Sequence, residues 1–292
     1  MTNPFYEPST LPFGMPPFAD IEDEHYAPAF EKGMAEQLTE IDAITAQTEA
    51  PSFDNTMLPL EKSGQLLNRV AIVFFNKTSA DSNAATDALE EVIAPQLAAH
   101  NDAISLNSAL YERIRSIRDT LDNTDLDAEA RYLVERYFTE FTLAGAGLSE
   151  EDKTTLRNYN SRLSSLTTKF EKNLLADTND LAVVVDNVEE LDGLDASEIS
   201  AAASAANDRG LTGKYLITLI LPTNQPHLSL LKNADVRGRV MAASRTRGIR
   251  GGAFDNRELV LEIATLRSQR AALLGYDSHA AWVTADGTAQ NP

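Results

Sequence analysis

From Leu156 onward the apolar residues Leu156, Tyr159, Leu163, Leu166, Phe170 and Leu174 follow one another at steps of three and four. A helix turns once every 3.6 residues, so this spacing draws one unbroken seam along about five turns. Ser149-Glu150-Glu151-Asp152 ahead of it is close to a capping box and marks where the helix begins. A helix this long with a single apolar seam needs a neighbour along its length, and antiparallel pairing is the natural solution. The expected fold is therefore mainly α, with long antiparallel helices.

Other stripes share the period. Ile21, Tyr26, Phe30, Met34, Leu38, Ile41 and Ile44 predict a helix that starts or kinks near Pro28. Thr56 is expected to cap a second, carrying Leu60, Leu67, Val70, Val73 and Phe74. Leu89, Val92, Ile93 and Leu97 mark a third, bent at Pro95, and Ile104, Leu110, Ile114, Ile117 and Leu121 a fourth. Leu133, Tyr137 and Phe141 stripe a fifth from Ala128 to Leu143. In front of them, prolines alternate with Phe5, Tyr6, Leu11, Phe13 and Phe18, the composition of an extended arm lying on a folded body.

After residue 175 the period changes. Leu181–Asp186 and Tyr215–Leu221 are short β-branched runs, expected to pair as a ribbon around a helix from Ala196 to Arg209 that Gly210 ends. Pro222 and Pro226 should break the chain before a helix from Asp235 to Arg247. Gly248, Gly251 and Gly252 then lead into a last helix, with Asp255 at its N-cap, Leu259, Ile263, Leu266 and Leu273 on one face, and Gly275 at C′. This reading gives an arm over 1–20, a helical domain over 21–176, and a helical region with short strands over 177–292.

The 44 acidic against 25 basic side chains leave a net charge of −19, which repels nucleic acid and anionic membrane, so neither is expected as a partner. No apolar run approaches the ~20 residues of a membrane span. There is no Cys, and the first 30 residues carry neither Lys nor Arg and are broken by six prolines, unlike a secretory signal. A cytoplasmic location is expected.

Several stretches carry a resemblance. GAFDNRELVLEIATLRSQRAALLGYDSHAAW (252–282), NPFYEPSTLPFGMPPFADIEDEHYAPAFEKGM (3–34), KYLITLILPTNQPHLSLLKNADVRGRVMAASRTRG (214–248) and the AVVVDNVEELDGL before it are similar to the thimet oligopeptidase family of zinc metallopeptidases, in its dipeptidyl carboxypeptidase branch. The resemblance covers essentially the whole chain, but only what would be the family's N-terminal, non-catalytic half. It implies that the helices form one wall of a deep channel admitting short unfolded peptides. It implies a parent that removes C-terminal dipeptides from oligopeptides, with zinc in the full-length parent and none bound by this chain. The missing catalytic half would be the partner, and the polar ending ADGTAQNP is expected to be a truncation point.

The family's zinc motif is His-Glu-x-x-His on a helix, two imidazoles one turn apart with the Glu to activate water. His25, His100, His227 and His279 are the four histidines, and none is followed by Glu or has a second His four residues on. His25 follows Glu22-Asp23-Glu24, which reads as the solvated first turn of a helix with acids at its positive end. His279 and Trp282 read as packing features.

Arg237, Arg239, Arg245, Arg247 and Arg250 form the densest positive cluster, either an anion site or, as favoured here, a solvated helix face and C-terminal turn. No G-x-S-x-G elbow, phosphate loop or Cys nucleophile occurs. No residue of this chain is therefore expected to be catalytic, to bind a cofactor or to ligate metal. Two alternatives stay open: a helical protein-binding scaffold without catalytic activity, and an unrelated enzyme using the arginine cluster.

Overall fold

The computed structural model describes residues 3–220 and 224–292. Leu221 and Pro222, at the end of the expected second strand and the break after it, lie outside the described residues. In chain order the elements are α1 (Tyr26–Thr45), α2 (Leu58–Lys62), α3 (Gln65–Ala80), α4 (Ala84–Ser105), α5 (Ser108–Asp119), α6 (Ala128–Ala144) and α7 (Glu150–Asp180). They continue as β1 (Val183–Val185), α8 (Ala196–Asp208), β2 (Tyr215–Ile217), α9 (Asn224–Leu230), α10 (Ala234–Arg245), α11 (Arg257–Leu273) and α12 (His279–Thr284). Helices hold 68% of the chain, so the fold is mainly α with one minor β element. Among the described residues, no helix is long and apolar enough to cross a membrane.

Two compact units result: Met1–Thr168 with Ala264–Pro292, and Lys169–Ile263. The first is a layered set of helices. α1 and α3 run antiparallel, because Gln37 and Glu40 stand beside Ser63 and Gly64 while Phe30 packs on Phe74 at the far end. Gly33 lets them approach: a Cβ there would lie 2.8 Å from Leu67 Cα. Tyr26, Phe30, Phe74 and Phe75 pack edge to face in the resulting core. The arm joins this core only at its start, where Phe5 is buried on Tyr26 and its carbonyl accepts from Arg69. Leu11, Phe13, Met15 and Phe18 are exposed.

The expected second helix is two. Ser52, not Thr56, is the cap: its hydroxyl accepts from Asn55 N–H and opens a π-type turn over Phe53–Met57 that runs into α2. α2 then stops at Gly64, which adopts φ +72° and hands its N–H to the Glu40 carboxylate before α3 begins. The seven-residue step from Leu60 to Leu67 preserves the helical phase across this break, which is why the period alone does not reveal it. Thr56 is buried and accepts from Arg113 Nε. Pro95 sits inside a single helix, α4, which also takes Ile104, and Asn107 caps α5 afresh by accepting from Leu110 N–H. α5 and α6 run antiparallel, with Tyr111 near Thr142 and Arg118 near Glu135.

In the second unit β1 and β2 pair antiparallel, Val183 opposite Ile217 and Val185 opposite Tyr215, as the two β-branched runs predict. α8 lies between them in sequence and closes with Leu211 N–H on Ala206 O and Gly210 N–H on Asn207 O, the Schellman pattern. Val183, Val185, Leu191, Ile217, Leu219, Val236 and Val240 form its core. Pro226 falls in the first turn of α9 instead of breaking the chain, a position where its missing N–H costs little. α11 starts at Arg257, so Asp255 stands one residue ahead of the N-cap position; its carboxylate still accepts the Arg257 N–H. Gly275 closes α11 as expected, with Tyr276 N–H on Ala271 O and Gly275 N–H on Ala272 O.

Candidate functional site

The first unit contains a cleft of ≈ 540 Å³ between side chains of α4, α6, α7, α11 and α12. Its polar part is a chain of hydrogen bonds. Asn160 on α7 donates from Nδ2 to Asp102 Oδ1 on α4 at 2.8 Å, and its own Oδ1 accepts from Arg270 Nη1 on α11 at 3.2 Å. The amide is thereby oriented by what it joins, a carboxylate on one side and a guanidinium on the other. Arg270 lies 4.3 Å over the Trp282 ring, and His279 stacks on the same indole at 5.7 Å. Trp282 donates from Nε1 to Leu143 O at 3.0 Å, which fixes the indole plane. α12 exists because Ser278 caps it, accepting from Ala281 N–H.

Burial sets the charge states. It pushes the Asp102 carboxyl up, while the hydrogen bond from Asn160 and the charges of Arg157 and Arg270 pull the other way. Burial and the like charge of Arg267 lower Arg270, Asp102 opposing, yet a guanidinium stays protonated. His279 is lowered by burial and by Arg267 and Arg270, which favours the neutral ring. Two buried nitrogens here, Arg270 Nε and His279 Nδ1, have no hydrogen-bond partner. Leu143, Leu156, Leu163 and Leu274 supply the apolar lining.

The histidines do not converge. His25 completes a cap, its Nδ1 accepting from Glu22 N–H at 2.9 Å. His100 is buried in the first unit, with Nε2 2.7 Å from Gln37 Oε1. His227 is buried in the second unit, 3.9 Å from the Glu198 carboxylate. Among the described residues no three His, Asp or Glu side chains are grouped to hold a metal.

The arginine cluster disperses as well. Arg237 donates to the carbonyls of Leu231 and Lys232, Arg239 to Val184 O, and Arg247 to Ser244 O. Arg250 binds Asp177 and Asp180, and Asp177 also accepts Gly248 N–H at 2.6 Å. These contacts of Arg237, Arg239, Arg247 and Arg250 hold backbone and loop in place. The cleft around Arg270 joins residues far apart in the chain, Asp102 and Arg270 by 168 positions, and its sole local sequence sign is the pair Arg267 and Arg270 one turn apart before His279 and Trp282.

Over 291 residues, its whole length, the chain is 40% identical to a dipeptidyl carboxypeptidase of Salmonella typhimurium, and over 290 residues 38% identical to that of Escherichia coli. The chain is a relative of the dipeptidyl carboxypeptidases. Oligopeptidase A of Escherichia coli is a more distant relative, 28% identical over 296 aligned positions. The chain spans 43% of the length of each of these three relatives. No family model matches the chain.

Proposed function

We propose that this chain is the N-terminal, non-catalytic portion of a cytoplasmic zinc metallopeptidase that removes C-terminal dipeptides from oligopeptides, and that its helices shape the substrate channel. Identity of 40% along the full length to a dipeptidyl carboxypeptidase carries the reading. The mainly helical fold suits a channel wall, and the acidic surface suits a substrate that is neither nucleic acid nor membrane. The described residues do not fit the zinc: their imidazoles are scattered and no three His, Asp or Glu side chains among them are grouped, so no step of the hydrolysis is assigned to this chain.

The purified 292-residue chain should release no dipeptide from an N-blocked peptide, and an antibody against it should detect a band far heavier than 31.8 kDa in source extracts. Dipeptide release that survives repurification would refute the non-catalytic assignment. A native band at 31.8 kDa, with a second protein co-purifying, would favour the alternative of a protein-binding scaffold. The exposed Leu11, Phe13, Met15 and Phe18 of the arm give that alternative its support.

A further inference from the structure

The cleft of the first unit collects positive charge in a chain whose net charge is −19. Arg267 and Arg270 stand one turn apart on α11 and both line it. Arg267 forms no hydrogen bond or ion pair among the described residues. Arg270 uses one of its five donors, on Asn160, and its Nε has no acceptor. Asp102 is the one carboxylate of the lining, and Asn160, Arg157 and Arg270 already act on it. Two guanidinium groups against one carboxylate leave an excess of a single positive charge, with His279 neutral. Leu143, Leu156, Leu163, Leu274 and the Trp282 ring make the rest of the surface apolar.

A guanidinium stacked on an indole is weakly hydrated and offers paired N–H groups that match a carboxylate. An excess of one charge suits a monoanion better than a phosphate, which would also meet Asp102. We propose that this cleft binds a small monocarboxylate with an apolar group, its carboxylate held by Arg267 and Arg270 and its apolar part against Trp282 and the leucines. The site is independent of the peptidase reading, since binding requires neither metal nor hydrolysis, and its failure would leave that reading untouched.

Trp282 is the only tryptophan, so intrinsic fluorescence reports on the cleft directly. The chain is titrated with 3-phenylpropionate and N-acetylleucine, and with the amide of each, at about 0.15 M salt, where repulsion from the distant acidic surface is screened beyond about 8 Å. Both acids should give saturable changes and neither amide should. Arg267→Gln, an exposed position that leaves the packing intact, and Arg270→Gln should each weaken binding about tenfold, or about 1.4 kcal/mol. Circular dichroism checks that both variants keep the helical signal. Absence of a saturable response to both acids, an equal response to the amides, or an unchanged affinity in Arg267→Gln would overturn the proposal.

Discussion

Replacing glycine by alanine inside a helix should have opposite signs at two positions of this chain. Alanine favours helix over glycine by roughly 0.8–1 kcal/mol, because it loses less backbone entropy on folding. At Gly238 in α10 an added Cβ meets no atom within 4 Å, so the propensity term acts alone and Gly238→Ala should stabilise by about that amount. At Gly33 in α1 the same methyl would sit 2.8 Å from Leu67 Cα and 2.9 Å from Leu67 N, both backbone atoms of α3 that no rotamer change can move. Carbon atoms pack at about 3.5–4.0 Å, so the two helices must part by roughly 0.7–1.2 Å at their crossing. A gap of that size forfeits a quarter to a half of the dispersion energy of the contacts it opens, which here include Phe30 on Phe74. Overpacking of this kind costs about 1–3 kcal/mol, which exceeds the propensity gain. Gly33→Ala should therefore lose about 1 kcal/mol net, and Gly33→Val more. Urea unfolding followed by Trp282 fluorescence reads the unit that contains Gly33, and each kcal/mol corresponds to about 2–4 °C in Tm for a unit of this size. A Gly33→Ala chain as stable as the parent would refute the close α1–α3 approach.

Two further perturbations test the first unit. Arg113 is buried and binds the Gln47 and Glu49 carbonyls, Thr56 Oγ1 and Asn55 Oδ1, so it holds the chain between α1 and α2 without any carboxylate. Arg113→Met should cost about 3 kcal/mol in the urea midpoint, because the buried acceptors lose charged donors that nothing replaces; a loss below about 1 kcal/mol would refute that role. His100 gives a pH test. Burial lowers its pKa below 6.5, and Gln37 Oε1, an acceptor, keeps the proton on Nε2. The unfolded chain therefore protonates this ring first as pH falls, so its contribution to stability is present above pH 6.5 and is lost as pH drops from there towards the folded value. The slope is at most about 1.4 kcal/mol per pH unit. His227, lowered by burial with Glu198 opposing, acts in the same direction in the second unit. The urea midpoint read by Trp282 should fall between pH 7.5 and pH 5.5, and His100→Gln should flatten that fall; an identical slope in the variant would refute the assignment.

The helices were legible because burial on one face imposes the 3.6 period, and their ends were legible where a residue has a single conformational use. Gly210 and Gly275 both close their helices with the paired Schellman bonds. The β ribbon was legible for a related reason: Val183, Val184 and Val185 leave the helical period and favour an extended backbone, as Tyr215, Leu216 and Ile217 do opposite them. Breaks that keep the helical phase were not legible. Gly64 falls between Leu60 and Leu67, two turns apart, and its function depends on Glu40, 24 residues earlier. Caps failed in the same way, since Ser52 and Thr56 are equally good candidates until Arg113 claims the Thr56 hydroxyl.

The cleft was hidden for a stricter reason. Asp102, Asn160 and Arg270 each occupy a position that, within its own helix, reads as an ordinary polar residue, and the information that they meet lies in how three helices pack. Pattern reading instead finds the arginines that lie close in sequence, from Arg237 to Arg250, and four of these five, Arg237, Arg239, Arg247 and Arg250, are spent on backbone carbonyls and on Asp177 and Asp180. Density of charge along the chain therefore measured the wrong quantity. A guanidinium bound to a carbonyl or a carboxylate of its own chain is satisfied and has little left for a ligand, however many stand together. One that is half-buried on an indole, with a single neutral acceptor and a second guanidinium one turn away, carries the field of an unmatched charge into a cavity. Ligand-binding potential in this chain follows from that imbalance, which only the three-dimensional count of donors, acceptors and charges at one place can reveal.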